Sequence, residues 1–177
     1  MKYSNSILAL LLTLMINPVY AKVMQPMLVL ESIKSIKATE ETGDEIYLNI
    51  TSYLPNGKTH SINKPLSPSA WSTKNLSQLK DLSLWSHPLA EGEAADIILT
   101  LAEQDNPPFD PDDLLGVVQL KLMNTKQGLK ILWSVKEGLL KKDIKQLNDK
   151  TVQKMLLTGS NGAYELTIKL VDKLPKK

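Results

Sequence analysis

Apolar and polar residues alternate with a period of two through most of this chain. Ile46, Leu48 and Ile50 are interleaved with Tyr47, Asn49 and Thr51. The pattern returns at Leu82 and Leu84, at Val118, Leu120 and Leu122, at Leu129, Ile131, Trp133 and Val135, and at Tyr164, Leu166, Ile168 and Leu170. Successive side chains of a strand point to opposite faces, so each run predicts a strand with one buried face. In Ile97-Ile98-Leu99-Thr100-Leu101 the alternation thickens into a nearly continuous apolar run, which predicts a central strand. Turn residues separate the runs at Pro55-Asn56-Gly57, Glu91-Gly92, Asn124 to Gly128 and Gly159-Ser160-Asn161-Gly162, while Pro65 and Pro68 bound a longer excursion. With Met27–Ile36 included, the pattern predicts seven to nine short strands in an all-β antiparallel sandwich or barrel of one domain. Residues 151–171 read as its last hairpin.

One stretch departs from this period. Leu140, Ile144 and Leu147 recur at helical spacing with Lys141, Lys142 and Lys145 between them, which predicts a short amphipathic helix over residues 137–150. Lys141, Lys142 and Lys145 are candidate contacts to an anionic membrane surface or a partner. Three apolar anchors bury too little to hold a protein on lipid, which favours a helix that covers an open end of the sandwich.

The first 21 residues have a different character. Lys2 is followed by ten apolar or weakly polar residues from Ile7 to Ile16, then by Asn17-Pro18 and the small-residue exit Val19-Tyr20-Ala21. This is the layout of a secretory signal peptide cleaved after Ala21. A membrane span needs about 20 apolar residues, twice this run. The expected product is Lys22 to Lys177, in the periplasm or outside the cell, and the lysine-only leader points to a bacterial source. A chain of that length buries about 68–70% of its unfolded surface, enough to fold on burial alone.

Composition then removes chemistries. There is no cysteine, so disulfides, thiol nucleophiles and cysteine-based metal sites are excluded. All 21 basic residues are lysine, so there is no guanidinium to read a base or clamp a phosphate, and nucleic acid is not an expected partner. His60 and His87 are the two histidines, neither beside a nucleophile pattern, so both read as solvated surface groups. Of the tryptophans, Trp85 and Trp133 read as packing, and Trp71, flanked by Pro65 and Pro68, as an exposed candidate for partner binding.

Charge is segregated along the chain. Residues 81–120 carry nine acids and no lysine, whereas residues 121–177 carry 13 lysines and five acids. Opposite poles of this kind permit head-to-tail self-association. Two segments concentrate carboxylates: Glu40, Glu41, Asp44 and Glu45 before the Ile46 run, and Glu103, Asp105, Asp110, Asp112 and Asp113 between the Ile97 and Val118 runs. If both reach one rim of a sandwich, charges about 5 Å apart repel by roughly 3 kcal/mol at an effective dielectric of about 20. A hard dication held by oxygen is the obvious compensation; otherwise the loops splay and the acids stay in water.

The segment AADIILTLAEQDNPPFDPDDLLGVVQLKL resembles the hallmark stretch of the C-two sandwich, the calcium- and phospholipid-binding module of synaptotagmins and protein kinase C. In that family a strand ends in an Asp-x-Asp pair, a loop follows, and an aspartate with two apolar residues and a glycine opens the next strand. Here the pair is Glu103 and Asp105, and the closing unit is Asp113-Leu114-Leu115-Gly116. MLVLESIKSI followed by ETGDEIYLNI is similar to the family's first strand, first ligand loop and following strand, with Asp44 at the aspartate position. Trp133 matches a tryptophan common in a late strand. The resemblance spans residues 27–135 and implies a sandwich with calcium ligands at Asp44, Glu103, Asp105 and Asp113, supplemented by Asp110 or Asp112. The departures are Glu103 for an aspartate, Gln104 for an apolar residue, Glu40 or Glu41 in the first loop, and a longer loop stiffened by Pro107-Pro108. Each reshapes the cage.

The resulting expectation is an exported, non-catalytic envelope binding module, calcium-dependent through its acidic loops, whose partner is an envelope protein, a membrane surface or another copy of itself. The alternative is a periplasmic hydrolase using paired carboxylates, for which the chain offers acids but few aromatics to line a sugar cleft.

Overall fold

The computed structural model describes residues 22–105, 111–136 and 144–172. Eleven strands follow one another: β1 (Pro26–Lys37), β2 (Glu45–Tyr53), β3 (Thr59–Lys64), β4 (Trp71–Ser72), β5 (Leu82–Ser86), β6 (Ala94–Glu103), β7 (Asp113–Thr125), β8 (Gly128–Lys136), β9 (Ile144–Gln146), β10 (Val152–Gly159) and β11 (Gly162–Asp172). A short 3₁₀ turn, Thr73–Gln78, lies between β4 and β5. One sheet has the order β10-β11-β1-β5, and the other β3-β2-β6-β7-β8-β9 with β4 beside β2. Every described pairing is antiparallel.

The alternation seen in the sequence sets the inner faces. Leu28, Leu30, Tyr164, Leu166 and Ile168 of the first sheet meet Ile46, Leu48, Ile97, Leu99, Leu101, Val118, Leu120 and Trp133 of the second in one buried cluster. The molecule is therefore an all-β sandwich. Ile97-Ile98-Leu99-Thr100-Leu101 lies in β6, between β2 and β7 and so in the middle of its sheet. The hairpin β10–β11 turns at Ser160 and Asn161, both at positive φ.

Two expectations need correction. The eleven strands among the described residues exceed the seven to nine anticipated, the surplus being β4 and β9, of two and three residues, too short to show a period. The helix expected over 137–150 is not what its second half forms. Ile144, Lys145 and Gln146 pair with Lys136, Val135 and Ser134, and the Leu147 amide donates to the Trp133 carbonyl at 3.0 Å. An isolated helix of this length is marginal, whereas the free edge of β8 offers ready backbone partners, and Leu147 still packs on the core. Residues 137–143, with Lys141 and Lys142, lie outside the described residues.

Candidate functional site: an acidic rim

The rim is built where β2 begins and β6 ends. Their register sets Ile46 opposite Glu103, and the Gln104 amide donates to the Glu45 carbonyl at 2.6 Å. Register on the far side of β6 sets Glu103 opposite Asp113. Sheet pairing thus brings the two acidic segments, some 60 residues apart in the chain, to one edge of the sandwich.

Two carboxylates at this rim are buried, and their surroundings differ. Asp44 is fully enclosed. Its oxygens accept the Thr39 amide at 2.9 Å, the Thr39 hydroxyl at 2.9 Å and the Glu40 amide at 2.9 Å. They also accept the Tyr164 hydroxyl, which reaches across from β11 in the opposite sheet. Burial by itself would raise the Asp44 pKa, but the hydrogen bonds from Tyr164, the Glu40 and Thr39 amides and the Thr39 hydroxyl outweigh it, and the carboxyl sits below its ordinary value. The same contact works in reverse on Tyr164: burial first, then the bond to the carboxylate, drive its phenol upward despite an opposing bond to Ser35. Gly43, at φ 92, closes the turn, its amide donating to the Glu40 carbonyl at 3.2 Å. Asp44 therefore fixes residues 39 and 40 and ties the two sheets together.

Glu103 continues the inward row of Ile97, Leu99 and Leu101, and the period of two carries its side chain into the same buried layer, 3% exposed. No hydrogen bond or ion pair meets its carboxylate among the described residues. Burial, and then the charges of Asp105, Asp44, Glu40 and Asp113, push its pKa up to about 7. Carboxylate oxygens of Glu40, Glu103 and Asp105 all lie within 4.8 Å of one another. Glu103 and Asp105 at that separation repel by roughly 3 kcal/mol at an effective dielectric of about 20. The exposed Glu40 adds less, because water screens it.

Asp112 supports the second segment. It accepts the Tyr47 hydroxyl at 2.7 Å and the Asp105 amide at 3.2 Å, so it positions Asp105 from behind. Burial and then the Asp112 hydrogen bond and charge push the Tyr47 phenol up to about 12. Beside this pair lies a shallow depression of about 240 Å³ lined by Tyr47, Asn63, Ser67, Gln104, Asp105 and Asp112 among others.

Of the ligands the resemblance implied, Asp44, Glu103, Asp105, Asp112 and Asp113 all reach this rim, and Asp110 lies outside the described residues. Glu103 and Asp105 join the close group. Asp44 does not, since its lone pairs already serve Thr39, Glu40 and Tyr164, and Glu40 takes the place beside the pair. Asp113, paired opposite Glu103 in the sheet, adds its charge there but is outside the close group. Tyr164 was not foreseen as a partner, because only sheet packing brings it to Asp44. Trp71, expected to be exposed, is half-buried in β4 opposite Ile46 and packs on the core. Lys145 is in β9 opposite Val135.

A set of three oxygen donors fits a hard dication. Oxygens within 4.8 Å of each other can share an ion at calcium's contact distance of about 2.3–2.6 Å. No protein-family model matches the chain, and no curated protein does. No helix among the described residues is long and apolar enough to cross a membrane.

Proposed function

We propose that this protein is an exported, non-catalytic binding module of the bacterial envelope, related in design to the C-two sandwich, whose acidic rim takes up calcium through Glu40, Glu103 and Asp105. The observation that carries the reading is Glu103: a residue 3% exposed whose carboxylate has no hydrogen-bond partner among the described residues and faces two further carboxylates within 4.8 Å. An ion would give Glu103 a countercharge that no described residue gives it. The leader over residues 1–21 supports an exported location, where modules of this kind bind calcium at about 0.1–1 mM.

The competing reading, a hydrolase with paired carboxylates, draws on Glu103 at about 7 beside Asp105. Such a pair needs room for a sugar ring. The depression at this rim is about 240 Å³ and does not include Glu103 or Glu40, smaller than the 300 Å³ or so at which ligand pockets begin. Calcium at about 10 mM should raise the unfolding midpoint by roughly 3–8 °C. A midpoint unmoved by 10 mM calcium, about ten times the weakest affinity expected, would remove the cation from the account.

A further inference from the structure

The twelve residues of β1 use their two edges unequally. On one side β11 accompanies the strand from Pro26 to Lys37. On the other, β5 pairs only with Met27 to Leu30. Asp81, in the left-handed region at φ 52, turns the chain away there, and the residues before it coil into the 3₁₀ turn instead of extending the ladder. In an antiparallel pair alternate residues direct their amide and carbonyl groups away from the partner. Between Glu31 and Lys37 those groups have no backbone partner among the described residues. A row of this kind is a template for another strand.

Where the missing strand would lie there is a groove of about 590 Å³ between β1 and the 3₁₀ turn. Ile33 and Leu76, both buried, line it on the apolar side. Lys34, Lys74 and Lys80 line it too; all three are exposed and have no ion-pair partner among the described residues. Of the two acids in the same wall, Glu31 is held by Lys169 at 3.5 Å, which leaves Asp81 as the counterweight to three lysines. Ile36, 61% exposed, offers apolar surface just beyond the groove.

We infer that the open edge of β1 from Glu31 to Lys37 is a docking site for a short, extended, acidic segment of a partner protein. The segment adds as a strand between β1 and the 3₁₀ turn and sets its carboxylates against Lys34, Lys74 and Lys80. Backbone pairing supplies affinity, the apolar wall accepts small side chains at alternate positions, and the lysines select for acidity. A second copy of this chain pairing through the same edge is disfavoured, because it would oppose lysine to lysine. The site is independent of the proposed cation.

The test uses the whole mature chain in EDTA and a blocked six-residue peptide alternating glutamate and valine, with a lysine–valine peptide as control. Calorimetry should show saturable binding of the acidic peptide alone, and hydrogen exchange should slow at the amides of residues 31–37. Lys34→Glu with Lys80→Glu should weaken binding about tenfold or more, since like charges then face each other, with the unfolding midpoint unchanged. Should that pair unsettle the fold, Lys74→Glu alone should still weaken binding measurably. Absence of saturable binding below about 1 mM, equal binding of the lysine peptide, or protection confined to another strand would each overturn the proposal. Because calcium is absent throughout, failure here leaves the acidic rim untouched, and failure of the rim leaves this site untouched.

Discussion

Asp44 and Glu103 are both buried at the same rim, and they illustrate opposite uses of a buried carboxylate. The loop over residues 39–44 meets its charge with two amides and the Thr39 hydroxyl, and β11 adds the Tyr164 hydroxyl, so the charge is stabilised and the loop acquires a fixed shape. The end of β6 sets its charge among other acids, with no hydrogen-bond donor to it among the described residues. A satisfied carboxylate is structural; an unsatisfied one stores repulsion that a proton or a cation can relieve. The first holds Glu40 in place so that the second has company.

The comparison can be broken most severely at Asp44. Asp44→Ala leaves the Thr39, Glu40 and Tyr164 donors without an acceptor, and loss of such a buried network should lower stability by about 3–5 kcal/mol in urea unfolding. A loss below about 1 kcal/mol would show that the loop does not depend on this residue.

Glu103 should behave in the opposite sense. Its pKa when folded, about 7, lies above the ordinary 4.5, so the native state binds more protons and stability falls as pH rises between those two values. The shift corresponds to roughly 3 kcal/mol, present below about pH 4.5 and lost by about pH 7. Asp44, whose pKa is depressed, contributes above its ordinary value and loses that contribution only as pH falls below it, outside this window. Melting in EDTA across this range should therefore show a falling midpoint for the wild type. Glu103→Gln should flatten the slope, raise the midpoint at pH 8 and abolish the calcium response; a variant less stable than wild type at pH 8 would contradict the assignment.

Tyr164→Phe tests the tie between sheets more gently. Asp44 keeps the Thr39 and Glu40 donors, so the loss should be about 1–2 kcal/mol, visible as a lower midpoint. Smallest in stability is Glu40→Gln, at an exposed position, within about 0.5 kcal/mol of wild type. Its calcium affinity should nonetheless fall several-fold, and unchanged affinity would remove Glu40 from the ligand set.

Much of the architecture was legible because burial leaves a period of two in any strand long enough to repeat. β2, β7 and β11 bury the apolar residues that the sequence marked, β6 buries Ile97, Leu99 and Leu101, and β8 buries Trp133 and Val135 while Leu129 and Ile131 pack half-buried on the core. Even the burial of Glu103 follows from the row of Ile97, Leu99 and Leu101. β4 and β9 left no trace because two or three residues cannot establish a period, and Ile144 with Leu147 fits a helix and a strand-plus-loop equally well. The role of Asp44 was hidden for another reason. Its decisive partner, Tyr164, is 120 residues away in the chain, and the two meet only because one sheet packs on the other. The family resemblance made Asp44 look like a ligand; in the fold its oxygens are taken up by Thr39, Glu40 and Tyr164.

Carbon-13 NMR of the side-chain carboxyls, titrated with calcium at pH 7.5, separates the two residues directly. The Glu103 resonance should shift and saturate at about 0.1–1 mM calcium, its titration midpoint falling well below 7, while Asp44 stays unmoved. A Glu103 signal indifferent to millimolar calcium, or a calcium shift at Asp44 in its place, would contradict the division of labour at this rim.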